Sequence, residues 1–319
     1  MKVLITDHLH PLLAERLRAA GMQCDEEPDI SNEEVMAGLH AYQGLVVATK
    51  IRVTEALMDS APGLRFVARA GSGMENIDQV AAGSRGIMCV SSPEGNAGAV
   101  AEHGVGMLLA LLNHLARADR EIRQGLFRRE GNRGVELAGK TLAIIGFGHT
   151  GSALATRLRG FGMTLLAHDK YKSGFSTGEW QECDWARIYR EADILSLHLP
   201  LTPETHFMVN AERLAQFEKP IYLLNTSRGP VVHTVDLLDA LQSGRVLGAA
   251  LDVFENEKPE TYGPAEALWW EPLRAMEQVL LSPHVAGLTM ESRYKIADVL
   301  ASKILALPPS VKIINNKWV

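Results

Sequence analysis

Residues 141–169, which read TLAIIGFGHTGSALATRLRGFGMTLLAHD, constrain the fold of this chain more than any other stretch. The apolar run Thr141–Ile145 is typical of a strand that is buried on both faces. A glycine-rich turn, a helical pattern of apolar residues and a second apolar run, Met163–Ala167, follow it, and Asp169 stands at the end. This order predicts one βαβ unit of a parallel α/β sheet.

The glycine-rich turn has the spacing G-x-G-x-x-G, and each part of it has a physical role in holding a dinucleotide. Gly146 permits a tight turn out of the strand, Gly148 lets the backbone approach a pyrophosphate, and Gly151 lets helix and strand pack closely. The helix N-terminus, with His149 and Thr150 inside the motif, faces the anion. The turn alone is a weak signal, but strand, helix and terminal acid together predict dinucleotide binding.

The acid at the end of the second strand favours one dinucleotide over the other. Asp169 lies 23 positions after Gly146 and is placed to accept hydrogen bonds from the ribose hydroxyls. A carboxylate there repels the 2′-phosphate of NADP, so we predict NAD as the cofactor. Lys170 and Lys172 follow closely and leave NADP open.

Composition excludes several classes of protein. The chain has 319 residues, enough for two domains, and its 38 acidic against 32 basic residues leave a net charge of −6 that gives no electrostatic case for nucleic-acid binding. Its three cysteines show neither disulfide nor metal-site spacing and suit a reducing compartment. We see no signal peptide and no apolar run near the roughly 20 residues that span a bilayer. We therefore expect a cytoplasmic protein with no metal, no membrane and no nucleic-acid partner.

The order of the other elements predicts a second α/β domain. Strand-like runs at 2–6, 45–48 and 65–69 alternate with helical patterns before the glycine motif is reached. One long helix is predicted over Ala99–Gln124, and a final helix over about Met290–Leu307. We predict an α/β fold with two Rossmann-like domains: a flavodoxin-like substrate domain (1–98 and 285–319) into which an NAD-binding domain (99–284) is inserted.

Three polar stretches follow predicted strands, where ligands bind in open α/β sheets. Arg228 follows the run Ile221–Leu224, and a guanidinium there can grip a carboxylate through two hydrogen bonds. An acidic loop holds Asp252, Glu255 and Glu257, of which one carboxylate can orient a histidine and raise its pKa.

The third stretch follows the run Val279–Leu281, where His284 comes after a proline. Each stretch also has an interpretation without function: a surface arginine, a solvated acidic loop and a structural histidine. Together with NAD, an arginine, a carboxylate and a histidine are what hydride exchange with an alcohol requires.

Seven segments carry a resemblance to a known family over essentially the full chain. They are 70–78 (AGSGMENID), 94–103 (EGNAGAVAEH), 139–151 (GKTLAIIGFGHTG), 199–205 (LPLTPET), 225–229 (NTSRG), 250–254 (ALDVF) and 282–287 (SPHVAG). The chain resembles the D-isomer-specific 2-hydroxyacid dehydrogenases. Because of the segments 94–96 and 132–137, it looks most like their short D-3-phosphoglycerate dehydrogenase branch, whose members lack a regulatory domain.

The resemblance implies a role for each matching residue. Arg228 would bind the carboxylate and oxygen of the substrate, and His284 would be the acid/base. Glu257 would pair with His284, with Glu255 as the competing candidate. The other implied substrate contacts are the Ser72 and Gly73 amides and Asn96. The other implied cofactor contacts are His198, Pro200, Thr205 and Thr226. Asp252 and the turn at Gly287 would contact the nicotinamide.

Two departures from the family's pattern stand out. His233 occupies a position that is usually acidic or an amide in the family. The segment Pro259–Met276, with Trp269 and Trp270, is longer than usual and would cover the cleft, contact another subunit or simply pack.

The substrate is the open question. The resemblance implies oxidation of 3-phosphoglycerate to 3-phosphohydroxypyruvate, the first step of serine synthesis, with Lys50 and Arg52 meeting the phosphate and Arg128, Arg129 and Arg133 reaching a neighbouring subunit. If these are ordinary surface charges, glyoxylate, hydroxypyruvate or lactate-type substrates remain. An NAD-sensing corepressor on the same fold is the alternative from another class.

Two further expectations concern assembly and control. The apolar face of the helix predicted over Ala99–Gln124 looks too broad for one domain, so we expect a homodimer through it, with a tetramer left open. Because no regulatory extension follows Val319, we expect no feedback through such a domain.

Overall fold

The computed structural model describes residues 1–308 and contains parallel strands alternating with helices. Up to the glycine motif the elements are β1 (Lys2–Ile5), α1 (Leu12–Ala19), β2 (Gln23–Glu26), α2 (Asn32–Gly38), β3 (Gly44–Val47), α3 (Glu55–Asp59), β4 (Phe66–Arg69), α4 (Gln79–Ser84), β5 (Met88–Ser91), α5 (Pro93–Leu112) and α6 (Leu115–Arg123). They continue with β6 (Thr141–Ile145), α7 (His149–Leu158), β7 (Thr164–His168), β8 (Gln181–Glu182), α8 (Trp185–Glu191), β9 (Ile194–Leu197), α9 (Ala211–Ala215), β10 (Ile221–Asn225), α10 (Thr234–Gln242), β11 (Val246–Leu251), α11 (Pro264–Ala275), β12 (Val279–Leu281) and α12 (Met290–Leu305).

The chain divides into two compact units. The first unit comprises Met1–Ala97 and the chain from Leu288 onward, of which 309–319 lie outside the described residues; the second unit is Gly98–Gly287. Each unit is built on one parallel sheet, so the predicted α/β class with two Rossmann-like domains is confirmed.

The sheet of the first unit has the strand order β2-β1-β3-β4-β5, which is the flavodoxin-like order. Its central strands β1, β3 and β4 are apolar on both faces because helices cover both. Leu4 belongs to the core on one side, whereas Val3 and Ile5 belong to the core on the other. Helix α12 packs on the second of these faces through Leu300 and Ile304.

The sheet of the second unit has the order β12-β11-β10-β9-β6-β7-β8. Strands run outward in both directions from the β6–β9 pair, in which Ile145 lies opposite Leu197. The order reverses at this pair, and ligands bind at such a switch point, outside the carboxyl ends of the strands. Because all pairs are parallel, the loops after β6, β7, β9, β10, β11 and β12 share one edge.

The prediction of one helix over Ala99–Gln124 is wrong. Helix α5 ends at Leu112, α6 begins at Leu115, and the two meet at a 60° bend. His114 adopts a left-handed backbone with φ of 53°, and the Leu112 carbonyl accepts a hydrogen bond from the Val135 amide at 3.0 Å instead of continuing the helix. Among residues 1–308, no single helix is long and apolar enough to cross a membrane; this bent pair meets that test only when its two helices are taken together.

Candidate active site

The loops after β11 and β12 bring a carboxylate onto a histidine. The His284 Nδ1 lies 2.7 Å from the Glu257 Oε2, and both side chains are partly exposed. The hydrogen bond with Glu257 raises the pKa of His284, against the opposing effects of its burial and of the Arg228 charge. An Nδ1–H that donates to a carboxylate leaves Nε2 as the nitrogen that can exchange a proton with a ligand.

The structure separates the two candidate glutamates. Glu255 turns away from the histidine, since its Oε1 accepts a 2.6 Å hydrogen bond from the amide of Thr234, the first residue of α10. Glu257 Oε1 accepts a bond from the Phe254 amide at 3.3 Å while its Oε2 meets His284. Glu257 is therefore the member of the acidic loop that contacts the imidazole.

The histidine is held in a left-handed backbone conformation, with φ of 53° at His284. Such a backbone persists in a residue other than glycine only when its surroundings enforce it. Asp252 enforces it: its main-chain carbonyl accepts the His284 amide at 2.7 Å, and its fully buried carboxylate accepts the amides of Val285 at 3.0 Å and Ala286 at 2.9 Å. The Ser282 hydroxyl donates to the same carboxylate at 2.6 Å.

This use of Asp252 was not predicted. The sequence predicted a contact with the nicotinamide, which stays a prediction, whereas the structure shows a clamp on the loop that carries His284. His103, which showed no role in the sequence, joins the clamp: its Nε2 lies 3.1 Å from the Ser282 Oγ and 3.6 Å from the Asp252 Oδ1. His103 lies in helix α5, 179 residues before Ser282 in the sequence, so no local sequence pattern predicts this contact.

Arg228 is placed by a turn that follows β10. The Asn225 side chain donates to the Arg228 carbonyl at 3.0 Å and accepts the Ser227 amide at 3.0 Å. Gly229 has no room for a side chain, because a Cβ there would lie 1.8 Å from the carbonyl oxygen of Phe254. The loop with Arg228 therefore lies directly against the loop that carries Glu257.

The glycine-rich turn lies after β6 on the same edge of the sheet. Gly146 has φ of +90°, and a Cβ on it would lie 2.3 Å from the His198 carbonyl oxygen. A Cβ on Gly151 would lie 2.1 Å from the Gly146 carbonyl oxygen, whereas one on Gly148 would meet nothing within 4 Å. The first and third glycines thus allow tight packing, and the second leaves open space beside the N-terminus of α7, where His149 begins the helix.

Asp169, after β7, contacts the glycine-rich turn. Its carboxylate accepts the Phe147 amide at 2.8 Å and the Tyr171 amide at 2.9 Å. The two lysines that left NADP open have other contacts: Lys170 pairs with Glu204, and the Lys172 ammonium donates to the Phe147 carbonyl at 2.9 Å.

The remaining predicted cofactor contacts follow β9, β10 and β12. His198 lies beside the motif, with its Nδ1 3.3 Å from the Thr150 Oγ1, and burial lowers its pKa to about 4. The Thr205 hydroxyl donates to the Pro200 carbonyl at 2.7 Å and shapes that loop. Gly287 lies in the turn that ends the second unit.

Thr226 supplies the clearest sign that the site fits a ligand. Its Oγ1 is buried and makes no hydrogen bond within the described part of the chain. A buried hydroxyl without a partner is costly, so an acceptor or donor from a bound molecule would satisfy it. The residues of this edge therefore fit a dinucleotide with polar groups near β10.

The predicted substrate contacts lie in the first unit. Ser72 and Asn96 come together, since the Ser72 hydroxyl donates to the Asn96 Oδ1 at 2.8 Å, and Gly73 is the next residue of the same loop. The Lys50 ammonium donates to the Pro28 carbonyl at 2.6 Å. The Arg52 side chain is exposed. Their contacts with a substrate stay predictions.

Of the three arginines predicted to reach a neighbouring subunit, Arg128 and Arg133 pair with acidic residues nearby in the chain, whereas the contact of Arg129 stays a prediction. Arg128 lies 3.6 Å from Glu121, and Arg133 pairs with Glu130 at 2.6 Å. His233, the other departure from the family's pattern, occupies the N-cap position of α10 without a side-chain capping bond, and its Nδ1 lies 2.9 Å from the Asp236 Oδ1.

A glycine-rich turn at the switch point of a parallel sheet, with a histidine, a carboxylate and an arginine on the same edge, defines a dinucleotide-dependent dehydrogenase. The chain belongs to the D-isomer specific 2-hydroxyacid dehydrogenases: residues 105–286 match the NAD binding domain of that family. NAD as the cofactor is thereby confirmed at the level of the family.

Relatives with several substrates share this fold. The chain is 34% identical to the human D-3-phosphoglycerate dehydrogenase over 302 residues, which cover 94% of this chain and 55% of the relative. It therefore spans about half the length of the curated relatives it matches. A D-lactate dehydrogenase from Aquifex aeolicus in complex with NAD and lactic acid is 28% identical, with a TM-score of 0.81 and coverage of 96% and 95% of the two chains.

A third relative, an NADPH-dependent glyoxylate/hydroxypyruvate reductase from Sinorhizobium meliloti in complex with NADP and malonate, is 30% identical. Its TM-score is 0.78, and the match covers 96% of this chain and 92% of the other.

Proposed function

We propose that the protein oxidises a D-2-hydroxyacid with NAD and that its substrate is 3-phosphoglycerate, which becomes 3-phosphohydroxypyruvate. The observation that supports this most is the 2.7 Å contact between His284 and Glu257 on the sheet edge that also carries Arg228 and the glycine-rich turn. The name of the human relative supports the choice of substrate.

The proposed reaction uses the protein residues as follows. Neutral His284 accepts the proton of the substrate hydroxyl at Nε2, and Glu257 stabilises the imidazolium that forms. Arg228 binds the carboxylate and polarises the neighbouring oxygen. When NAD is bound, its nicotinamide ring supplies the hydride acceptor. The same residues run reduction of the keto acid in reverse, with His284 as the proton donor.

NAD rather than NADP is part of this proposal. The Asp169 carboxylate lies at the turn where an adenosine ribose binds in this motif, and a 2′-phosphate would meet its negative charge. The two nearby lysines are engaged in other contacts: Lys170 pairs with Glu204, and the Lys172 ammonium donates to the Phe147 carbonyl.

Initial rates test the substrate. NAD reduction is compared with 3-phosphoglycerate, D-lactate and D-glycerate at equal concentration, for the wild type and for the Lys50→Ala/Arg52→Ala double variant. We expect a preference for the phosphorylated acid that the double variant loses. A preference of the wild type for an unphosphorylated acid contradicts the assignment and supports a lactate- or glyoxylate-type enzyme like the relatives above.

The variant His284→Ala tests the dehydrogenase against the corepressor alternative. We expect it to bind NAD and to reduce none. A wild type that binds NAD but oxidises no hydroxyacid supports the corepressor.

We also propose a homodimer in the cytoplasm. The apolar face of α5 is buried within its own unit, including Met107, Leu108, Leu111 and Leu112, so it is not the free surface that the sequence suggested. The exposed apolar side chains lie further on, with Leu115 and Ile122 each 55% and Phe127 81% exposed. Light scattering on Ile122→Ser/Phe127→Ser is expected to give a smaller mass than on the wild type.

Free thiols at Cys24, Cys89 and Cys183 support a reducing compartment.

A further inference from the structure

The segment between Glu257 and His284, here called the 259–276 segment, packs into the second unit. It forms a short 3₁₀ turn, Pro259–Thr261, and helix α11. Trp269 is 5% exposed and Leu273 is fully buried, and both belong to the core on one face of the sheet. Trp270 packs against the same core. Both tryptophans therefore pack within their own unit, which is one of the three roles that the sequence left open for the segment.

The segment also holds the residue that precedes Glu257. The Tyr262 hydroxyl donates to the main-chain carbonyl of Asn256 at 2.7 Å. The Asn256 side-chain amide donates to the Glu266 Oε1 at 3.1 Å and to the Thr261 Oγ1 at 3.0 Å. Both the backbone and the side chain of Asn256 are thus held by residues of the 259–276 segment.

Glu266, which accepts the bond from Asn256, is itself held in place. Glu266 caps α11, since its Oε2 accepts the Gly263 amide at 2.9 Å. This backbone hydrogen bond and the one from Asn256 hold the pKa of Glu266 below its usual range, so its carboxylate stays charged as an acceptor. On the other side of the loop, the Trp270 ring packs edge-on against Phe254 with centroids 5.7 Å apart.

The pair of Glu257 and His284 needs such restraint. Its two side chains are 37% and 48% exposed, and an ion pair in contact with solvent barely offsets the loss of freedom of its side chains. A carboxylate on an untethered loop would leave the imidazole for much of the time. Its contact is persistent if the backbone that carries it is already ordered.

We propose that the 259–276 segment positions Glu257 on His284, with Tyr262, Asn256 and Glu266 as positioning residues for the dehydrogenase reaction. This proposal rests on the proposed function only for its effect on turnover. Tyr262 and Glu266 act through the loop and contact neither member of the pair by a hydrogen bond among those described.

Tyr262→Phe is the first test, because it keeps the ring that packs on Trp269 and Trp270 and removes the hydroxyl. We expect the pKa of His284, followed by NMR of its imidazole, to fall toward its ordinary value. We expect kcat to fall about tenfold at pH 7 while KM for the hydroxyacid changes less than about twofold. The matched control is Tyr189→Phe, which removes a phenol that bonds Arg213 at 3.0 Å in the same unit and should leave both readouts unchanged.

A second pair of variants covers the case in which Tyr262→Phe does not fold. Glu266→Gln keeps one oxygen, which accepts from the Asn256 amide while its NH₂ group faces the Gly263 amide, so the bond to the loop is kept and the cap of α11 is lost. This variant is expected to retain the His284 pKa and most of kcat, whereas Glu266→Ala, which loses both bonds, is expected to lose them as Tyr262→Phe does. Wild-type values of the pKa and kcat in both Tyr262→Phe and Glu266→Ala overturn the proposal. So does an equal effect of Glu266→Gln and Glu266→Ala.

The NMR titration needs no substrate, which separates this proposal from the function. If the wild type oxidises no hydroxyacid but Tyr262→Phe lowers the His284 pKa, the positioning stands and the proposed function fails. If the wild type turns over and the pKa does not move in Tyr262→Phe and Glu266→Ala, the function stands and the positioning fails.

Discussion

Replacing Asp252 by Asn probes the clamp that holds the His284 loop. The carboxylate accepts three hydrogen bonds, from the Ser282 hydroxyl and from the amides of Val285 and Ala286. An asparagine keeps one oxygen, so its NH₂ group faces a donor, most simply the Ala286 amide. That buried N–H is left unsatisfied, at a cost of about 1–3 kcal/mol, and the two other bonds lose their charge assistance.

The loss of stability is expected to be about 2–4 kcal/mol in the free energy of unfolding of the second unit. Urea unfolding followed by tryptophan fluorescence measures it, because four of the five tryptophans lie in that unit: Trp180, Trp185, Trp269 and Trp270. Because the unit should remain folded in buffer, kcat can be measured too. We expect kcat to fall at least about tenfold, since His284 is freed from its left-handed backbone.

Two controls separate the clamp from other effects. Asp193→Asn removes a carboxylate that accepts the Thr141 amide at 2.7 Å and pairs with Lys219, so it should cost stability and leave kcat near the wild-type value. The dissociation constant of NAD, measured in Asp252→Asn, reports the predicted contact with the nicotinamide separately. Equal kcat in Asp252→Asn and wild type, or an equal loss of kcat in the Asp193 control, would refute the clamp.

Three further substitutions test other parts of the site. Glu257→Gln removes the largest cause of the raised pKa of His284; because oxidation needs the neutral imidazole, the rising limb of kcat/KM against pH should move to lower pH, and an unmoved limb contradicts the pairing. Gly229→Ala puts a Cβ 1.8 Å from the Phe254 carbonyl oxygen, so we expect a loss of about 1–3 kcal/mol in urea unfolding together with most of kcat; a wild-type urea midpoint would argue against this close approach. Asp169→Ala should raise KM for NAD about tenfold or more and narrow the ratio of kcat/KM between NAD and NADP, and an unchanged ratio would show that the carboxylate does not face the ribose.

Features that depend on neighbours in sequence were predictable. The strand Thr141–Ile145, its glycine-rich turn and the helix that follows form one local unit, and each glycine except the second is forced by backbone packing within or beside it. Strands with mixed polarity were not recognised: β2 reads QCDE, and only Cys24 in it is buried. Such a strand is ordered by pairing with β1, which a local pattern does not show.

The bend at His114 shows the same limit in a helix. The apolar periodicity continues across it, but the Leu112 carbonyl is taken by the distant Val135 amide. The choice between Glu255 and Glu257 was likewise nonlocal, because it is settled by a bond to Thr234 in one case and to His284 in the other. The contact of His103 with the Asp252 clamp joins elements that only the folded sheet brings together.

The strand order of the second unit makes its two chemistries separable along the chain. The glycine-rich turn and Asp169 follow β6 and β7, whereas Arg228, Glu257 and His284 all follow β10 to β12. A single recombination crossover near residue 220 would therefore exchange Arg228, Glu257 and His284 together, and it would separate no residue from its own set. The seam of such a chimaera is the β9–β10 pairing, in which Asn225 lies opposite Leu197. Recombination with a relative at this seam would thus pair the glycine-rich turn and Asp169 of one enzyme with the arginine, glutamate and histidine of another.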